Sequence, residues 1–247
     1  MALASRGDEA LRAAAALPFT VALKAPGIPE AGITTRRGEV RAWSGGERRP
    51  IGAGLASLVL RFPSPRAAAR VLGGGGGMPI PIPLGPGAFA ALRFFRAAAA
   101  RVPALIKDPA TDPSLKARML CEAALRGLAQ VAALDPGIEE RLHHVPDGSA
   151  AIEVAGSFSI GLEKRGRAVE ILGTAPVSPN ARLAFRDAAA AIAVFSGARP
   201  AVVALGASEL RLTGYLPLVQ GLFAVLDRLG DYLAVDAKGD RHEQLEP

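Results

Sequence analysis

Two adjacent histidines, His143 and His144, follow the acidic pair Glu139 and Glu140 and precede Asp147. Imidazoles and carboxylates in one short stretch are the inventory of a metal site or an acid–base pair. The spacing argues against both. Adjacent residues on a regular helix or strand cannot both turn to one metal, and the His-Glu-x-x-His pattern is absent. The pair is expected at a helix end, beside the carbonyl end of its dipole. An enzyme would need these histidines to converge with Glu139 or Asp147 in a cleft. Cys121 is the only cysteine, which excludes an intramolecular disulfide and a cysteine metal cluster. It sits in an apolar helical run and is expected to be a buried small side chain. Gly73–Gly77 has the composition of a phosphate loop, but no Lys-Ser or Lys-Thr follows it and no GxGxxG frame opens a helix. No Gly-x-Ser-x-Gly elbow is present. Asp187 is placed to cap a helix, and Trp43 to pack on a strand. The reading is of a protein that is not an enzyme and uses no cofactor or metal.

The apolar inventory is rich instead. Half of the 247 residues are apolar and only 5% are aromatic, with alanine supplying much of the difference. That is enough for one large domain or two small ones, with ample material for a core. The formal net charge is +6. The basic residues form no run longer than two and do not interleave with aromatics, so nucleic acid is not the expected partner. No apolar segment reaches the ~18–20 residues of a membrane span. Arg12 interrupts the apolar stretch Leu11–Leu23, and Asp8 and Glu9 precede it, against a secretory or transit leader. A cytoplasmic protein is expected.

The elements repeat. A helix over Ala2–Leu17 is followed by a strand at Phe19–Leu23 and a hairpin from Ile33 to Trp43 that turns at Arg36-Arg37-Gly38. A strand at Leu58–Phe62 precedes a helix over Pro65–Leu72, then an extended run from Met78 to Leu84, then a helix from Gly87 to Ile106. The second half begins with a helix, Pro113–Leu134, whose stripe is Leu115, Met119, Ala123, Leu128 and Val131. Strands follow at Ala151–Ala155, Phe158–Leu162 and Ala168–Leu172, with Lys164-Arg165-Gly166 echoing the first hairpin turn. Leu60 and Phe62 correspond to Leu183 and Phe185, and Ile80 and Ile82 to Leu210 and Leu212. The shared order is that of a tandem duplication. The polar, Pro-rich stretch Lys107–Pro113 is the expected boundary. It gives one unit over 1–108 and a second over 109–237, before a polar, disordered tail over 238–247. In the first unit, alternate prolines in Met78–Pro83 remove alternate ladder donors, so this segment is expected at a sheet edge.

The clearest block is Ala181–Leu233. Ala181–Phe185 alternates as a strand, Asp187 caps the run Ala188–Phe195, and Gly197 ends it. Glu209–Gly214 alternates again. After Pro217, the residues Leu218, Leu222, Val225, Leu226 and Leu229 form a helical apolar stripe. This order resembles the C-terminal half of the sterol carrier protein type 2 family, on the segments Leu183–Ala189, Leu210–Gly214 and Pro217–Leu233.

The resemblance implies an α+β fold of two sterol-carrier-like units, each a mostly antiparallel sheet of about five strands covered by helices on one face, the first unit degenerate. It implies non-enzymatic carriage of a lipid or other long apolar ligand in a tunnel between sheet and helices. The sheet would contribute Phe158, Ile160, Val169, Ile171, Leu183, Phe185, Leu210 and Leu212 to that tunnel. The helices would contribute Ile192, Phe195, Leu218, Leu222, Phe223 and Leu226. The last helix, loosened at Gly221 and Gly230, would be a lid whose stripe touches a bilayer, with Arg182, Arg186, Arg199 and Arg211 meeting anionic headgroups. The alternative is a structural or protein-interaction module in which the same residues fill a core.

Overall fold

The computed structural model describes Glu9, Ala13 and residues 15–27, 30–36, 39–43, 57–64, 67, 79–85, 87–134 and 136–225. Most of the helices expected over Pro65–Leu72 and Ala2–Leu17, the Gly73–Gly77 run, Leu226 and the tail over 238–247 lie outside the described residues. The chain divides into two compact units between Ala110 and Thr111.

Unit 1 contains β1 (Phe19–Lys24), β2 (Ala31–Arg36), β3 (Glu39–Trp43), β4 (Leu58–Arg61), β5 (Ile80–Pro83) and helix α1 (Ala88–Lys107). Its sheet has the order β3-β2-β1-β4-β5. β1 and β4 pair in parallel, and the other neighbours are antiparallel. Phe19, Val21, Leu58 and Leu60 share one face by register. α1 packs on β1 and β4, and the Phe19 and Phe94 rings are 5.3 Å apart.

Unit 2 contains α2 (Pro113–Leu134), α3 (Pro136–His144), β6 (Gly148–Val154), β7 (Phe158–Arg165) and β8 (Ala168–Leu172). β9 (Ala181–Phe185), α4 (Ala188–Phe195), α5 (Ala201–Gly206) and β10 (Leu210–Gly214) follow, then a helix, α6, described over 216–225. The sheet order is β10-β9-β6-β7-β8, with β6 and β9 parallel and the rest antiparallel. Counted within each unit, both sheets run third–second–first–fourth–fifth, with the first and fourth strands parallel.

The registers agree as well. Leu60 lies opposite Leu23 and Leu183 opposite Ile152, which fixes the superposition. It sets Ala22 on Ala151 and Gly32 on Gly161, because Gly32 faces Ala22 and Gly161 faces Ala151. Each glycine is roofed. A Cβ at Gly32 would run into the Trp43 indole, and one at Gly161 into the Pro176 ring and the Thr174 carbonyl. The second strand of each sheet thus needs a residue without a side chain at the same place.

Two expected correspondences shift by one residue. Leu60 faces Pro81, whereas Leu183 faces Leu212, so Ile82 matches Thr213 rather than Leu212. Proline chemistry is the cause. Leu84 donates its N–H to the Ser57 carbonyl, which puts even-numbered residues of β5 at the donating positions and Pro81 and Pro83 between them. β5 is the sheet edge, as alternate prolines require. The slip sends Ile82 to the face away from α1, where it packs with Ala22, Trp43 and Val59. The hairpin turns are also offset. Arg36–Glu39 matches Arg165–Ala168, so Arg36 is equivalent in register to Arg165 and not to Lys164.

Candidate functional site

The site is built from one face of the second sheet. Alternation along each strand and the pairing register place side chains in rows that cross it. One row is Leu212, Leu183, Ile152 and Ile160; the next is Leu210, Phe185, Val154 and Phe158. A third is Ala181, Ala150, Leu162 and Ile171. All belong to a single apolar cluster, and helices close it from one side.

α2 starts at Asp112, whose carboxylate accepts from the Ser114 and Leu115 N–H groups. It packs along α4 and β8. Ala117, Cys121, Leu125 and Leu128 are buried in the cluster; of the expected stripe, Met119 and Leu128 are buried and Ala123 is exposed. The helix presents the small Ala117 and Cys121 to the cluster. Burial pushes the Cys121 thiol up to about 12, with the Glu122 carboxylate adding to the effect. Cys121 is a packed side chain and not a thiolate nucleophile. α4 is capped by Asp187, which accepts from Ala190 N–H at 2.8 Å. The N–H of Gly197, in the left-handed region at φ +76°, donates to the Val194 carbonyl and stops the helix.

Thirteen of the fourteen residues expected to contact a ligand meet in this cluster; the fourteenth, Leu226, is outside the described residues. They divide by exposure. Ile160, Leu183, Phe185, Leu210, Leu218 and Leu222 are buried. Phe158, Val169, Ile171, Ile192, Phe195, Leu212 and Phe223 are only half-buried. α5, an element without a clear sequence signal, packs on β10 and leaves Val202 and Val203 exposed.

α6 does not present its stripe outward. Leu218, Val219, Leu222 and Val225 are buried in the cluster. Gly221 does not loosen the helix: a Cβ there would overlap the Val145 side chain, so the glycine lets α6 seat on the residue that follows α3. Most of the arginines expected to face lipid headgroups are engaged. Arg182 pairs with Glu153 at 3.2 Å. Arg186 pairs with Asp187 and Glu209, and Arg199 with the largely buried Glu209. Arg211 forms no ion pair among the described residues.

Sequence reasoning missed Lys164. It continues the alternation Phe158, Ile160, Leu162 onto the covered face, and its side chain is 2% exposed. Its ammonium donates to the Val145 carbonyl and to Asp147 Oδ1. Asp147 Oδ1 also accepts from Gly166 N–H at 2.8 Å. These bonds, the lysine's above all, hold the Asp147 carboxyl below the usual carboxylate range. Asp147 therefore serves Lys164 and does not converge with the histidines. His143 and His144 stand exposed at the end of α3, rings 5.5 Å apart and edge to face. No group of three or more His, Cys, Asp or Glu residues able to hold a metal occurs among the described residues. No helix among them is long and apolar enough to cross a membrane.

The fold is an α+β arrangement of two five-stranded, mostly antiparallel sheets, and the site is an apolar cluster between a sheet and its helices. Two solved structures are similar to this chain. One, described as a UbiJ-SCP2 ubiquinone synthesis protein, is 21% identical, spans 47% of this chain and 96% of its own, and has a TM-score of 0.34. The other, sterol carrier protein 2 like 2 from Aedes aegypti, is 16% identical over 42% of this chain and 94% of its own, with a TM-score of 0.28. No protein-family model and no curated protein matches the chain.

Proposed function

We propose that unit 2 binds a lipid or other long apolar ligand between its sheet and helices, and carries it without covalent chemistry. The observation that supports this most is the incomplete burial of part of the apolar cluster. A core that only stabilises the fold gains most by burying all its large side chains. Here seven of the thirteen are only half-buried, and α5, which packs on β10, leaves Val202 and Val203 exposed. Each methylene of an acyl chain taken up there would contribute about 0.8 kcal/mol, so a long chain gains on the order of 10 kcal/mol gross before association and ordering costs.

The rival reading is an interaction module with a filled core, and the buried half of the cluster supports it. Displacement of a fluorescent fatty acid separates the two. The carrier reading expects saturable uptake by the full chain, weakened at least tenfold by Leu212→Asp or Ile171→Asp in variants that keep their far-ultraviolet spectrum. No uptake, or uptake indifferent to both substitutions, supports the filled core.

A further inference from the structure

We propose that the outer face of α1, in unit 1, docks the protein on an anionic bilayer. At 100° per residue, Phe89, Leu92, Arg93, Arg96, Ala100 and Lys107 fall on one side of this helix, and all six are exposed. The opposite side, Ala88, Ala91, Phe94 and Ala98, is the buried one. Phe89 is 82% exposed, the extreme for an aromatic ring in the described residues.

The charge on this helix is of one sign. Ala88–Lys107 contains four cations and no Asp or Glu. Arg93, Arg96 and Lys107 form no ion pair among the described residues. An ordinary solvated helix face mixes signs and pairs them at i,i+4, as Arg118 and Glu122 do on α2. A cationic face with a phenylalanine and a leucine set among its arginines matches a lipid–water boundary instead, with apolar tips at acyl depth and guanidinium groups at the phosphates. Nucleic acid would use the cations and leave Phe89 and Leu92 in water when bound along the backbone. Docking through α1 stands whether or not unit 2 carries a lipid.

The test is co-sedimentation of the full chain with vesicles of phosphatidylcholine, with and without phosphatidylglycerol. The expected result is salt-sensitive binding to the mixed vesicles only. Arg93→Gln with Arg96→Gln should weaken it on the order of tenfold or more, and Phe89→Ser severalfold. These side chains are exposed, so circular dichroism should stay unchanged; if the arginine pair variant does not fold, Phe89→Ser decides alone. Absence of vesicle binding, equal binding to neutral vesicles, or wild-type binding by the folded variants would overturn the proposal. So would binding to a single-stranded oligonucleotide that needs the arginines and ignores Phe89, in the absence of vesicle binding.

Discussion

The Lys164 ammonium reaches Asp147 Oδ1 at 2.8 Å from within the apolar cluster, and so joins the end of β7 to the segment between α3 and β6. The pair is asymmetric, because the lysine is 2% exposed and the aspartate side chain 63%. Removing the aspartate leaves a buried cation with only the Val145 carbonyl, whereas removing the lysine returns the aspartate to water with its Gly166 bond intact. Asp147→Ala should therefore lower the urea midpoint more than Lys164→Met does. Equal midpoints for the two variants would contradict this asymmetry.

The same carboxylate makes stability depend on acid. Asp147 and Asp187 both have folded-state pKa values below the ordinary one. The Lys164 and Gly166 bonds lower Asp147, and the Ala190 N–H and Arg186 lower Asp187. A depressed carboxyl stabilises the fold above its unfolded pKa, about 3.9, and that stabilisation disappears as pH falls through the folded value. Below about pH 4, the wild-type midpoint should fall more steeply than that of Asp147→Asn. Parallel profiles for the two proteins would contradict this.

Gly221→Ala tests how α6 is seated. The added methyl meets Val145, and overpacking of this kind costs about 1–3 kcal/mol. Val145→Ala in the same chain should restore part of the loss. If Gly221→Ala alone is neutral in chemical unfolding, α6 is not packed as described.

Asp187→Ala should cost about 1 kcal/mol through loss of the α4 cap, and Asp187→Asn much less, since the amide oxygen can still accept from Ala190 N–H. Urea unfolding of the two variants gives the comparison directly.

Strands with clean alternation were legible from sequence. Ala168–Leu172 and Ala181–Phe185, and the helices Pro113–Leu134 and Ala188–Phe195, occupy the residues that the pattern predicts. So was the cluster, because alternation fixes which face Ile160, Leu183 and Leu210 share. The misses have particular causes. In α2, alanine and cysteine carry little hydropathy, so the expected stripe runs through Leu115, Met119 and Ala123, two positions from Ala117, Cys121 and Leu125, although Met119 is buried as well. Lys164 reads as a solvent residue by type, although its parity with Leu162 was the signal for the covered face. Val202 and Val203 are poor helix formers, and Pro200 at the cap of α5 makes no side-chain bond, so nothing local announced that helix. The slip of β5 depends on where missing proline donors can be tolerated, which appears only once the partner strand is known.

The most direct measurement is native mass spectrometry of the full chain purified without detergent, followed by organic extraction and identification of what is released. If unit 2 carries an apolar ligand, the protein should show a bound fatty acid, phospholipid, acyl thioester or sterol at one per chain, lost in Leu212→Asp. A single ligand-free mass, unchanged after incubation with a mixed lipid extract, would contradict carriage and leave the filled-core interaction module as the reading of this fold.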